Sequence, residues 1–276
     1  MKISILSSMA DLASNNIREN LLKLINFKET TKSFDGNQVF NTQTEFNDVD
    51  LLLTDKKHIT FEEFDKDLDS DLIVVISKHS AVSGKPSLSG HFIGNYSNNE
   101  MGGREAEICY SAPLFLKKYF NNLKRNYTES TYDITLESTH HGPFLKTPVV
   151  YVEIGSTKNE WIDKEIGKIV AQTLLKTLDL DLNRDYKVAI GFGGTHYCHN
   201  FNKVEFVTDI CMSHICPKHF VDAMNEDMVK QMINRSTKPA ELAIIDWKGL
   251  NGEGRNKIIN ILEKLNFPWK KTKEMI

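Results

Sequence analysis

The chain has 276 residues, of which 40% are hydrophobic and 26% charged, and its formal net charge is −3. This composition is that of a folded globular protein and excludes a disordered or fibrous chain. The small net charge excludes a protein that binds polyanions through its overall charge, so any nucleic-acid partner must be held by a local patch.

The predicted elements alternate between strands and helices along the whole chain. In order, apolar runs and amphipathic segments predict a strand at 2–6, a helix at 12–25, strands at 49–53 and 72–76, a helix at 113–123, strands at 132–136 and 149–154, a helix at 161–178, strands at 187–192 and 240–246, and a helix at 255–265. Several strands are continuously apolar, which is typical of strands covered on both faces. We therefore predict a three-layer α/β/α fold with a mixed, largely parallel sheet.

No linker or internal repeat divides the chain, so we predict a single domain over residues 1–276 with 85–130 as the candidate for an inserted lobe. Segment 77–104 contains five glycines and reads as one long loop, and loops of that length are often functional.

The cysteines and the apolar runs bear on the compartment. Four cysteines are too few for a disulfide scaffold. The start of the chain lacks a leader pattern, and no stretch reaches the roughly 18 apolar residues of a membrane span. We expect a cytoplasmic protein with no membrane partner.

Histidines follow three of the predicted strands. His79 follows the strand at 72–76, His140 and His141 follow the strand at 132–136, and His196 follows the strand at 187–192. Open α/β sheets bind ligands at the carboxyl ends of their strands, which favours a functional role. The pair His140–His141 precedes Gly and Pro, so a stiff turn could aim one ring at a substrate or metal, although a cap or packed residue would look the same.

Glu153 lies inside the apolar run 149–154. Burial of its carboxylate would be costly without a histidine, cation or metal as partner. The alternative is a strand-end residue that faces solvent. His91 lies twelve residues after His79, so a hairpin or lid could bring both rings to one pocket, but two solvent-facing loop histidines would share this spacing.

Backbone N–H groups at Gly193 and Gly194 could converge on an anion or a developing oxyanion beside His196. The spacing fits no nucleotide motif, so we predict no nucleotide cofactor. Cysteines and histidines between 196 and 219 are metal-ligand types, but their spacing disfavours a closed structural zinc site. Motifs of serine hydrolases, kinases and zincins are missing, and a His/Glu array with backbone donors favours hydrolysis by water.

Seven separate segments, taken together and in order, resemble the D-aminoacyl-tRNA deacylase family of archaea and plants. They are 8–17 (SMADLASNNI), 77–80 (SKHS), 84–95 (GKPSLSGHFIGN), 139–143 (THHGP), 153–161 (EIGSTKNEW), 193–197 (GGTHY) and 214–218 (HICPK). The resemblance implies an enzyme that hydrolyses the ester between a D-amino acid and the 3′ end of tRNA, with broad side-chain tolerance and zinc as cofactor. It also implies a fold like that of the phosphorylase/peptidyl-hydrolase group.

The resemblance suggests roles for individual residues. Zinc ligands would come from His79, His91, His140, His141 and Glu153, and His140, His141 and Glu153 would bind zinc or orient water. His196 with the Gly193–Gly194 backbone would stabilise the oxyanion, and Asn95 and Lys218 would contact the amino acid or terminal ribose.

The substrate partner is aminoacylated tRNA, and we expect a monomer that binds no DNA. A local patch for tRNA would comprise Lys117, Lys118, Lys124, Arg125, Lys270, Lys271 and Lys273. Two alternatives stay open: a zinc carboxypeptidase-like or amidase-like hydrolase of a small molecule, and a non-catalytic RNA-binding module that uses the segment 77–104. The acidic pI of about 6.3 speaks against the latter.

Overall fold

A computed structural model describes residues 1–179, 181 and 185–276. Its larger sheet has eight strands in the order β2-β3-β4-β1-β5-β8-β6-β7. These strands are β1 (Lys2–Ser8), β2 (Lys28–Phe34), β3 (Asn37–Gln43), β4 (Asp48–Thr54), β5 (Leu72–Lys78), β6 (Ser87–His91), β7 (Asp133–Leu136) and β8 (Val149–Gly155). The central strands β4, β1, β5 and β8 are parallel, so their carboxyl ends meet at one edge.

A smaller, wholly parallel sheet has the order β10-β9-β11-β12. Its strands are β9 (Lys187–Phe192), β10 (Ile210–Cys216), β11 (Leu242–Ile245) and β12 (Trp269–Lys271). Residues 136–139 join the two sheets: Ser138 N donates to His196 O at 2.9 Å, Thr139 N to Ile215 O at 3.0 Å, and Cys198 N to Leu136 O at 3.0 Å. We call this junction the seam.

Helices pack against both sheets. They are α1 (Leu12–Leu24), α2 (Pro113–Asn126), α3 (Lys158–Trp161), α4 (Lys164–Leu178), α5 (His199–Val207), α6 (Glu226–Asn234) and α7 (Gly252–Lys264). None of the helices in the described part of the chain has the length and hydropathy of a membrane span.

Side chains of the central strands alternate between two cores. In β5, Val74 and Ile76 join the core under α1, α2 and α4, whereas Ile73 and Val75 join a core closed by aromatic residues such as Phe64. Such two-sided burial explains the continuous apolar runs. The prediction of a largely parallel α/β fold is confirmed.

The structure corrects one predicted loop. Residues 87–91, inside the segment predicted as loop, form β6, a buried strand between β8 and β7. Its sequence SLSGH is small and polar, so it carries none of the apolar pattern that marks the other central strands. At Gly90 a Cβ would lie 2.6 Å from Leu116 Cδ1 and 3.1 Å from Tyr151 O, so a larger residue would force its neighbours to shift.

Segment 85–130, the candidate for an inserted lobe, supplies β6 to the larger sheet and α2 to its core. The structure also adds elements that we did not predict. They are the polar hairpin β2–β3, helices α5 and α6, and strands β10 and β12.

Candidate active site

A cavity of about 500 Å³ opens at the edge where the carboxyl ends of β1, β4, β5 and β8 meet. Five of the predicted site residues line it: His79, His140, His141, Glu153 and His196. The prediction that strand exits gather these side chains therefore holds in the structure, and its physical reason is the parallel arrangement of the strands.

Three histidines form a compact cluster, and two of them, His140 and His141, line this cavity. His91 is fully buried in β6, and its ring centre lies 4.3 Å from that of His140 and 5.0 Å from that of His141. Each ring has its Nδ1 at a backbone carbonyl: His91 at Phe92 O (3.1 Å), His140 at Ser138 O (2.7 Å) and His141 at Gly142 O (2.5 Å). Each Nδ1 is therefore placed to donate its proton to a carbonyl, and in the neutral form of each ring Nε2 presents a lone pair.

Glu153 stands beside this cluster and is 3% exposed. Ser77 Oγ donates to its Oε1 at 2.5 Å, while its Oε2 lies 3.5 Å from both His79 Nδ1 and His91 Nε2. The carboxylate is thus buried and surrounded by imidazoles. This arrangement favours the functional interpretation of Glu153 over the alternative of a strand-end residue that faces solvent.

Glu137 is a site residue that the sequence reasoning missed. It follows β7, its side chain is fully buried, and its Oε1 lies 3.1 Å from His79 Nδ1. Its Oε2 lies 3.0 Å from His196 Nε2 and 3.7 Å from His140 Nε2. The argument applied to Glu153, a carboxylate next to an apolar strand, would also have found it.

The electrostatics divide the histidines into two kinds. Burial disfavours a charged His79, but contacts with Glu137 and Glu153 outweigh it and raise the pKa of His79 to about 11. Burial together with the positive charge on His91 lowers the pKa of His141 to about 3 and that of His140 well below its ordinary value. His79 is therefore a cation between two carboxylates, and His140 and His141 are neutral.

Donors in the described residues fall into groups close enough to hold a metal ion. One group is His91, His140 and His141, a second is His79, Glu137 and His196, and in each the ligand atoms lie within 4.8 Å of one another. A third group shares members with both. The first group fits zinc best, because imidazoles whose Nδ1 atoms are bonded to carbonyl oxygens are typical zinc ligands and His91 Nε2 makes no hydrogen bond of its own.

Four predicted substrate-binding residues do not line the cavity. Asn95 Nδ2 donates to Gly102 O at 2.8 Å and to Arg104 O at 3.2 Å, so it shapes a loop instead. Gly193 N donates to Cys216 O at 2.8 Å and is not available to an oxyanion. Gly194 lines a separate small cavity, and Lys218, which is exposed, contacts Gly194 O through its backbone N–H.

The predicted tRNA patch needs correction at Lys117. This side chain is 7% exposed, and its Nζ donates to the carbonyl oxygens of Glu205, Thr208 (2.6 Å) and Ile210 (3.1 Å). It caps the end of α5 and cannot reach a phosphate. The lysines that line the cavity are Lys57 and Lys78, both exposed.

The cysteines lie away from this chemistry. All four are free and buried, and burial raises the pKa of Cys198, Cys211 and Cys216. None belongs to a metal-binding group in the described residues. Buried, protonated thiols of this kind are inert packing groups.

Comparisons with known proteins point to one family. A family model described as D-aminoacyl-tRNA deacylase matches residues 66–270. The chain is 34% identical to the D-aminoacyl-tRNA deacylase of Thermococcus onnurineus, over 97% of this chain and 98% of that protein. It is 32% identical to the protein of the same name from Methanocaldococcus jannaschii, over 98% and 100% respectively.

A solved structure described as a conserved protein of unknown function superposes with a TM-score of 0.88. It is 26% identical in sequence, and the match covers 100% of this chain and 96% of that chain.

Proposed function

This chain belongs to the D-aminoacyl-tRNA deacylase family, and we propose that the cluster of His91, His140 and His141 is the centre of its active site. It hydrolyses the ester bond of D-aminoacyl-tRNA and so releases a D-amino acid and tRNA. The observation that carries the proposal is the cluster of three imidazoles, two of which line a cavity that also holds a buried carboxylate, Glu153. Neither alternative, a small-molecule hydrolase or an RNA-binding module, is favoured.

We infer that zinc is the cofactor and that the same three Nε2 atoms hold it. When bound, zinc supplies a Lewis acid that polarises the ester carbonyl and acidifies water. Glu153 Oε2, 3.5 Å from His91 Nε2, places a negative charge beside the cluster. This charge balances a divalent cation in a buried site, where an uncompensated one would be costly.

His196 is the group that moves the proton in this proposal. Its side chain is 40% exposed on the cavity wall, and its Nε2 faces Glu137 Oε2 at 3.0 Å. A carboxylate that accepts from Nε2–H leaves Nδ1 as the acceptor, so His196 takes a proton from the attacking water there and returns it to the 3′ oxygen of the leaving tRNA. Glu137 is a positioning residue, and His79 holds Glu137 and Glu153 in place between them.

The tRNA terminus enters past Lys57 and Lys78. Both are exposed lysines at the cavity, whereas the chain as a whole is acidic. Phosphates of the single-stranded acceptor end fit such a local pair of cations. We therefore also propose that the enzyme acts in the cytoplasm, where its substrate is made. One chain supplies every residue of the proposed site, so the proposal needs no oligomer and no DNA.

The test is single-turnover deacylation of D- and L-tyrosyl-tRNA, with and without a chelator, together with metal analysis of the purified protein. We expect loss of the D-ester alone, abolition by the chelator and recovery with zinc. His141→Ala should lose bound zinc and at least about 100-fold in rate, whereas the exposed His219→Ala should keep both. Selective hydrolysis that ignores the chelator, with no zinc in the protein, would contradict the metal assignment.

A further inference from the structure

Two polar side chains of the cavity take no part in the chemistry described so far. Asp11 and His58 both line it, yet neither belongs to a group of the described residues that could hold a metal ion. They come from the turn after β1 and from the loop after β4. They therefore form a separate polar wall, which we call the Asp11 wall.

Asp11 presents a rigid carboxylate. It is 3% exposed; its Oδ1 accepts from Ser14 N at 2.9 Å and its Oδ2 from Lys78 N at 3.1 Å. A carboxylate offers about four acceptor positions, so each oxygen retains capacity for a further donor. The carboxylate is thus fixed by backbone groups and can still accept a hydrogen bond from the cavity.

His58 lines the same wall and has an unpartnered ring nitrogen beneath it. It is 7% exposed, its Nδ1 makes no hydrogen bond, and its ring packs at 5.5 Å from that of Tyr151. Burial lowers its pKa despite the nearby Asp11 charge, so the ring is neutral. A buried polar atom without a partner is costly, and a bound donor would remove that cost.

We propose that Asp11, together with His58, binds the α-ammonium group of the amino acid and thereby sets the chirality of the substrate. The inference rests on the proposed function and extends it to stereochemical selection. The ligand chemistry is that of a compact cation with three N–H donors, which matches a fixed carboxylate and a neutral imidazole.

Chirality follows from two fixed substituents on the α-carbon. If the ester carbon lies at the histidine cluster and the ammonium lies at the Asp11 wall, two positions remain on the α-carbon. The hydrogen and the side chain occupy them, and the D and L enantiomers exchange the two. One position faces the buried floor near His141, and the other faces the mouth marked by the exposed Lys57 and Ser80. The proposal assigns the open mouth to the side chain of a D-residue, which also allows broad side-chain tolerance, and the floor to that of an L-residue, which would clash there.

The test compares phenylalanyl-tRNA with phenyllactyl-tRNA, in which a hydroxyl replaces the ammonium, each as D and L esters. The D/L rate ratio of the wild-type enzyme should fall at least tenfold for phenyllactyl esters. Asp11→Asn should slow the D-phenylalanyl ester by about 10- to 100-fold, as expected for a lost hydrogen bond to a charged group. It should leave the D-phenyllactyl ester within about threefold, which also shows that the variant is folded.

Asp65→Asn is the matched control. Asp65 is also buried, and its Oδ2 accepts two backbone N–H groups, from Lys146 at 2.8 Å and Thr147 at 2.7 Å, but outside the cavity. It should keep both rates. Equal D/L ratios for the two ester types, or equal slowing of both D esters by Asp11→Asn, would overturn the inference. Failure of folded wild-type enzyme to cleave D-phenylalanyl-tRNA would instead overturn the proposed function, and the inference with it.

Discussion

Glu205→Gln should stabilise the protein at alkaline pH and leave its stability unchanged near pH 4. Glu205 is fully buried near the end of α5, where its Oε2 accepts from Met212 N at 2.8 Å and its Oε1 makes no hydrogen bond. Burial raises the pKa of Glu205 from its ordinary 4.5 to about 7, although the charge of Lys117 opposes the shift.

The magnitude follows from linkage. An acid with a raised pKa in the folded state ionises more readily in the unfolded chain. The folded state therefore loses stability as pH rises from 4.5 to about 7, and the loss stays constant above that. This difference corresponds to about 3 kcal/mol, since a tenfold change in a protonation equilibrium is about 1.4 kcal/mol. Glutamine resembles the protonated form of Glu205, so Glu205→Gln does not lose this stability as pH rises.

Urea denaturation of both proteins at pH 5, 6, 7 and 8 measures the difference in unfolding free energy. We expect the advantage of Glu205→Gln to grow across this range and to level off near pH 8. Other titrating groups contribute equally to both proteins and cancel in the difference. An advantage that does not change with pH, or a variant that is less stable at pH 8, would refute the reasoning.

Four other substitutions test separate parts of the structure. Lys57→Ala and Lys78→Ala should each flatten the salt dependence of kcat/KM on tRNA substrates by about 0.7 in a log–log plot, while Lys124→Ala should not; unchanged slopes in the first two would remove them from the tRNA path. Glu137→Gln should lower kcat by about 100-fold with little change in KM and shift the pH–rate profile, and a KM effect alone would contradict its positioning role. Lys117→Met should lose about 1–3 kcal/mol of stability in urea denaturation, because the carbonyl oxygens at the end of α5 would stay buried without their donor; weaker tRNA binding at unchanged stability would restore Lys117 to the predicted patch.

The sequence predicted much of the site because strand exits are visible as apolar runs. The runs at 72–76 and 149–154 placed His79 and Glu153 at the carboxyl edge of a parallel sheet, which is where the structure has them. His91 was nominated from spacing alone, and its strand β6 was not recognised. All five residues of β6 are buried, namely Ser87, Leu88, Ser89, Gly90 and His91. Small and polar side chains do not indicate burial in a sequence, so this strand has no apolar pattern.

Other errors came from contacts between residues far apart in the chain. The position of Lys117 on an amphipathic helix does not show that the end of α5, about ninety residues later, presents carbonyl oxygens to it. Gly193 looked like an anion-binding turn because the partner of its N–H, Cys216 O, belongs to another strand. Neither fact could be obtained from local pattern, since hydrogen-bond partners are set by tertiary packing.

The seam has a consequence for how activity appears during synthesis. Glu137 lies within the seam and contacts His196, which follows β9 of the smaller sheet, and Thr139 N, just before the paired histidines, bonds to Ile215 O. An amino-terminal fragment that ends before residue 187 would contain His91, His140 and His141 but would lack His196 and the strand that fixes Thr139. A chain still emerging from the ribosome, surrounded by aminoacyl-tRNA, therefore has no complete hydrolytic centre until most of its length has been made.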